Sequence, residues 1–304
     1  PNSYTKVEVY STDNNVVEVK NQEIKISGKR AVGEFVAKTG GVAKIVFKTN
    51  NAKFRNVSCD IIVCDGTIAY PFRISTAEEL ASIGTSDVYT SEKCYELTNN
   101  IDLGTVVDYE HGETWKPLPE LKGGLNGNGF TIENLVVGGS SENLGLFSSI
   151  NASATVQNIK FEGVKLNATG NTTQYVGAVA GTNYGTVKRI EILNADAVVS
   201  NNRAYVGAVA GQNRSVNLRN RQTVANIDRA SAKINFAGSY DGNTGVAGNV
   251  GGIVGYNYGG RLYFAYTTGT LNTNDSEKIV SAGGLVGVNE YLPISGSGSS
   301  YTTA

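Results

Sequence analysis

A six-residue pattern recurs through the second half of this chain and limits its fold more than any other feature. Leu144-Gly145-Leu146-Phe147 is followed by Val176-Gly177-Ala178-Val179-Ala180-Gly181 and Val206-Gly207-Ala208-Val209-Ala210-Gly211. Val250-Gly251-Gly252-Ile253-Val254-Gly255 and Ala282-Gly283-Gly284-Leu285-Val286-Gly287 complete the series. Aligned on their first glycines the intervals are 32, 30, 44 and 32 residues, and four copies carry an Asn two places after the last Gly: Asn183, Asn213, Asn257 and Asn289. About three short strands with turns fill 30 residues, and one such layer cannot bury its own apolar face. Stacked layers can, with backbone bonds between successive coils about 4.8 Å apart. A β-solenoid follows. In it the glycines supply positive φ or close packing against the next rung. The asparagines tolerate a left-handed turn and can bond amide to amide along the stack. Propeller blades run about 40–50 residues, too long for most of these intervals. The 44-residue interval needs an insertion of about a dozen residues, and the glycine-rich stretch from Phe236 to Asn249 is its natural place.

The first third reads differently. Short alternating runs at 7–9, 16–19, 24–26, 35–37, 43–47 and 57–64, separated by Asn, Asp, Gly and Lys clusters, predict a small antiparallel sandwich. Ser75-Thr76-Ala77-Glu78 reads as a capping box opening one short helix at 75–84, with Ala77, Leu80, Ala81 and Ile83 on its apolar face and Gly84 as a left-handed stop. A solenoid exposes unpaired strand edges at its ends, so this helix is the expected first cap. The fold class is therefore all-β. Residues 1–66 form the sandwich and 67–304 the solenoid, divided into a lead-in and capping segment at 67–140 and repeats at 141–304.

Composition removes several functions. A net charge of −1 excludes a generally basic nucleic-acid binder. No apolar run reaches the ~18 residues of a membrane span. The single histidine, His111, excludes mechanisms that need two imidazoles, and it reads as an exposed loop residue between acids. Cys59, Cys64 and Cys94 lack the spacing of a metal cluster and read as small buried hydrophobes. No cofactor is expected. Ca²⁺ on Asp102, Asp108, Glu110 and Glu113 is the one metal reading, and no EF-hand spacing supports it. The start at Pro1, without Met or an apolar leader, reads as a mature or trimmed product.

Few residues suggest chemistry. Tyr184, Tyr256 and Tyr258 flank the repeated Asn turns, so on stacked coils they would form an aromatic strip for glycan or protein contact, packing over the turn being the plainer account. Trp115 can stack on a sugar ring or anchor the first coil. Arg203, Arg214, Arg219, Arg221 and Arg229 concentrate in one stretch, as a lyase base cluster or a solvated loop.

Two resemblances add to this reading. The hexapeptides look like the GLUG motif, which Gly284-Leu285-Val286-Gly287 matches literally. The ordered segments Tyr70 to Leu80, Tyr95 to Leu103, Trp115-Lys116-Pro117-Leu118 and Leu125 to Ile132 are similar to the lead-in of such arrays, so the resemblance spans about 70–304. Tyr10 to Val19 and Gly40 to Phe47 resemble the bacterial Ig-like group 2 domain. Together they imply a bacterial adhesin-like display protein with no catalytic activity of its own. It would be secreted or held at the surface as an outer-membrane lipoprotein, and would bind as a monomer an extracellular glycan or a host or neighbour-cell surface protein. A β-helix polysaccharide lyase and a structural arm of a secreted peptidase are the alternatives.

Overall fold

A computed structural model describes residues 6–25, 32–49, 55–218, 221–237, 239–240, 243–244, 247–271 and 279–291. The chain divides into two compact units, Pro1–Arg73 and Ile74–Ala304.

In the first unit, alternation of apolar and polar residues produces an antiparallel sheet in the order Glu23–Lys25, Lys6–Ser11, Gly41–Thr49 and Val57–Val63. A second, two-stranded sheet pairs Val17–Val19 with Phe35–Ala37. Val7, Val9, Val16, Val17, Val19, Ile24, Ala43 and Ile45 form their common core. The three cysteines are free thiols, but Cys59 is exposed and Cys64 and Cys94 only half-buried, which corrects the expectation of buried thiols. Cys59 lies on the edge strand, opposite Ile45.

The second unit is a β-solenoid of about five turns. Three parallel stacks build it. Sheet A takes Asn143–Leu144, Gln174–Val176, the end of Thr186–Gly207, Ala247–Gly251 and Ile279–Gly283. Sheet B takes Phe147–Ile150, Ala180–Asn183, Ala210–Arg214, Val254–Tyr258 and Val286–Glu290. Sheet C takes Gly124–Asn126, Thr155–Glu162, the start of Thr186–Gly207, Asn226–Ala237 and Arg261–Tyr263. The core fills the space between sheet C and the other two, and its volumes compensate from coil to coil. Phe161, Ile192 and Ala232 shrink along one column. In the next column Ala195 is followed by Ile234, and in the one beyond it Ala197 by Phe236, which restores the bulk.

The glycines act through closeness. A Cβ on Gly211 would lie 2.2 Å from Val176 N, one on Gly181 2.6 Å from Asn143 Cα, and one on Gly255 2.4 Å from Val206 N. The first glycines do the same in the other direction: a Cβ on Gly207 would sit 2.5 Å from Ala210 O and one on Gly251 2.0 Å from Val254 O. Sheets A and B therefore touch backbone to backbone along a seam with no room for any side chain. None of these glycines has a positive φ.

Nor do the repeated asparagines adopt the left-handed turn the sequence suggests. They form an amide ladder, with Asn183, Asn213 and Asn257 buried: Asn183 Nδ2 donates to Asn213 Oδ1 at 2.9 Å, Asn213 to Asn257 at 2.9 Å, and Asn257 to Asn289 at 2.8 Å. The left-handed residues stack instead on sheet C, where Asn158, Arg189, Arg229 and Phe264 follow the registered series Gln157, Lys188, Asp228 and Tyr263.

Two further expectations shift. The capping box lies one residue on, with Thr76 as the N-cap and Glu79 returning the bond, and the helix α1 is Ala77–Ala81. Both frames fit the motif, and the observed one buries Ala77 and Leu80. The long interval is split rather than filled between Phe236 and Asn249. Ten extra residues fall between Asn213 and Asn226, where Val216–Leu218 and Arg221–Thr223 pair as a hairpin. Five more fall between Ala237 and Gly251.

Candidate binding surface

In-register parallel stacking places equivalent side chains about 4.8 Å apart, which lets aromatic rings pile face to face. Tyr175 and Tyr205 are registered partners on sheet A, and their rings stack at 5.3 Å with planes 20° apart. The next position on sheet A is Asn249, and the following ring comes from sheet B: Tyr256 stacks on Tyr205 at 5.0 Å and 30°. Tyr258 continues the row, 6.0 Å from Tyr256, and the Arg214 guanidinium lies 5.5 Å from its ring centre. All four rings are half-buried. The Tyr256 hydroxyl donates to Glu290 Oε2 at 2.7 Å.

This geometry spends the ring faces on one another. Tyr205 and Tyr256 each have a ring neighbour on both sides along the row, and the Arg214 guanidinium and the Glu290 carboxylate border it.

Burial first, then the Glu290 hydrogen bond and its negative charge, hold the Tyr256 phenol far above the usual tyrosine range. Burial also raises Tyr175, with Tyr205 and Glu142 adding to it. A phenol whose pKa is higher in the fold keeps its proton after the unfolded chain has lost it, so stability is full below the unfolded value and falls above it. Urea midpoints are therefore expected to hold steady from about pH 8 and decline above about pH 10, the unfolded tyrosine value. Tyr256→Phe should make that decline shallower.

Of the tyrosines singled out in the sequence, Tyr256 and Tyr258 belong to this stack. Tyr184 is half-buried near Tyr175 without joining it. Tyr175 and Tyr205, the stack's other half, were legible only as Tyr-Val preceding two of the glycine hexapeptides. Trp115 corrects its ligand-binding expectation: it is 3 % exposed and donates Nε1 to Leu146 O at 3.1 Å, so it anchors an early coil and has no free face.

Among the described side chains, Arg203, Arg214 and Arg229 lie on different parts of the solenoid. Arg203 is exposed, Arg214 lies on sheet B, and Arg229 on sheet C pairs with Asp228 at 2.8 Å and overlies Phe264. Arg221 sits in the inserted hairpin, and Arg219 lies outside the described residues. The acids near His111 serve local turns. Asp102 accepts from Gly104 N and Asn134 Nδ2, Asp108 caps a 3₁₀ turn and lies 2.6 Å from His111 Nδ1, and Glu113 accepts from Asp108 N. Glu110 is exposed. Among the described residues no three His, Cys, Asp or Glu side chains converge as a metal site.

Fold and surface together define a β-solenoid carrying a tyrosine strip along one edge. No family model matches the chain. Over 136 residues, 44 % of the chain, it is 29 % identical to halomucin of Haloquadratum walsbyi. Over 134 residues, 42 % of the chain, it is 29 % identical to a candidate Gly-rich membrane protein of Evansella cellulosilytica. The matched stretches span only 1 % and 15 % of those relatives. A crystal structure of a candidate immunoglobulin A1 protease from Bacteroides ovatus shares the fold, with a TM-score of 0.54 at 15 % identity over 75 % of this chain and 64 % of that one. Among the described residues no helix is long and apolar enough to cross a membrane.

Proposed function

We propose that this chain is a non-enzymatic display module of an extracellular or bacterial surface protein, secreted or lipid-anchored, which holds a partner protein on the strip Tyr175–Tyr205–Tyr256–Tyr258. In this reading residues 1–66 are an Ig-like spacer and 67–304 a GLUG-type array. The carrying observation is the ring stack itself, ordered by three successive coils and bordered by Arg214 and Glu290. The names of the two relatives, a mucin-like and a membrane protein, support a surface location. The mechanism is rigidity. Rings fixed by the backbone register lose little entropy on binding, so each contact retains more of its interaction energy.

Probing an array of extracellular protein domains and a glycan array in parallel tests this. The expected result is protein binding that Tyr205→Ala weakens at least ~10-fold, in line with a central aromatic anchor. Removing both ring contacts of Tyr205 should also cost about 1–3 kcal/mol of stability, so binding is compared at a temperature where both proteins are folded. Glycan binding without protein binding, or protein binding indifferent to Tyr205→Ala, overturns the reading.

A further inference from the structure

We propose that sheet C carries a binding site of its own, separate from the tyrosine strip: a pocket that takes the carboxylate of an acidic sugar, with Arg189 as its anchor. A left-handed residue interrupts successive strands of this sheet, Asn158 with φ 57° in one coil and Arg189 with φ 52° in the next. At that interruption lies a pocket of about 490 Å³, lined by Asn128, Asn158, Lys160, Arg189 and Glu191 together with Gly129 and Ile159. Its volume lies within the range of small-ligand sites.

The column requires a left-handed residue, and asparagine adopts that backbone readily, as at Asn158. Arginine adopts it only against its own preference, and backbone held in this way concentrates at binding sites. The Arg189 side chain is held as well. Its Nε donates to Asn158 Oδ1, and its Nη2 donates to Gln157 Oε1 at 3.0 Å, both neutral amides one coil earlier. These bonds occupy the side edge of the guanidinium and two of its five N–H groups. The end edge, Nη1 with the second Nη2 proton, has no partner among the described residues. A planar fork of that shape fits a carboxylate through two parallel bonds. The next arginine of the column, Arg229, has its carboxylate already, in Asp228 at 2.8 Å.

The rest of the pocket selects the kind of molecule that brings the carboxylate. Lys160 and Glu191 are registered neighbours on successive coils, yet among the described residues neither forms an ion pair. Beside the fork there is thus one more cation, which favours an anionic ligand, and one carboxylate, which accepts from hydroxyls. Ile159 is the only apolar side chain of the lining and is itself buried. A peptide would need apolar pockets or a free strand edge. Sheet C offers no free edge here, because Thr155–Glu162 is paired on both sides, with 124–126 and 131–133 on one and 186–192 on the other. An anionic, hydroxyl-rich unit matches this chemistry, and a uronic acid residue of an acidic glycan is such a unit.

NMR titration of the isotope-labelled full chain tests this, with trigalacturonate, the neutral galactose trimer, a sulfated disaccharide and an aspartate-rich peptide as probes. Trigalacturonate is expected to shift the signals of Gly129, Asn158 and Arg189 saturably and to bind more tightly than the other three. Arg189→Asn keeps a residue suited to the left-handed backbone and should weaken that binding at least ~10-fold, as the loss of a charge-assisted pair does. Lys233→Gln removes an exposed cation elsewhere on sheet C and should leave it unchanged. If Arg189→Asn loses its fold, the shifts mapped on the unaltered chain decide alone. Absence of saturable shifts at the pocket overturns the proposal, as does equal or tighter binding of the neutral trimer, the sulfated disaccharide or the peptide. So does trigalacturonate binding that folded Arg189→Asn retains or that Lys233→Gln weakens as much. Protein capture on the tyrosine strip is read through Tyr205→Ala, so either reading can fail while the other stands.

Discussion

Gly211→Ala is expected to destabilise the solenoid by at least ~3 kcal/mol, the upper range of overpacking costs. The added methyl carbon would lie 2.2 Å from Val176 N and 2.3 Å from Tyr175 C. These are backbone atoms of a strand bonded to the coils on both sides, so no rotamer change can make space, and relief means prising sheet A from sheet B. Gly284→Ala is the matched control. Nothing lies within 4 Å of its Cβ position and its φ is ordinary, so its effect should stay within about 0.5 kcal/mol. Urea unfolding of the two variants checks the contrast. Equal effects would mean that the seam is not what these glycines are for.

Asn213→Ala should cost roughly 2–4 kcal/mol, because buried polar groups left without partners carry their full desolvation penalty. Asn213 is fully buried at the middle of the ladder; it accepts from Asn183 and donates to Asn257. Its removal strands the Asn257 side-chain oxygen, while Asn183 Nδ2 keeps only longer bonds to Gly185 O and Asn226 O, both 3.3 Å. Asn289→Ala removes the same amide from an exposed terminal position and should cost about 1 kcal/mol or less. Thermal and urea unfolding of both variants, compared at matched concentration, distinguishes a cooperative ladder from four independent turns.

The solenoid was legible because its signal is periodic and physically forced. Glycines at fixed spacing cannot be filled, and a phased Asn has few other uses in a buried stack. The short strands of the first unit were legible for a similar reason, since Val7, Val9, Ala43 and Ile45 alternate with polar neighbours along half-buried sheets. The insertion was harder to place. Glycines between 238 and 248 attract a loop assignment, yet ten of the extra residues fall between Asn213 and Asn226, where Val216–Leu218 and Arg221–Thr223 pair and no glycine or proline marks the place. Left-handed backbone was equally hidden at Arg189, Arg229 and Phe264, because their φ is imposed by the column they share with Asn158 and not by their own preferences. Trp115 was ambiguous until a bond to Leu146 O fixed it inside.

The sequence by itself determined that coils stack, which residues recur in file and which chemistries the chain lacks, because repetition and composition are properties of the chain alone. Only the tertiary structure decided why those residues recur, by bringing sheets A and B into backbone contact and joining the asparagines in a ladder. It also made the surface: Tyr175 and Tyr205 lie 30 residues apart and Tyr256 another 51 along, and only the register between coils brings their rings within 5.3 Å. Such contacts depend on which strand lies above which, and no local preference of a tyrosine encodes that.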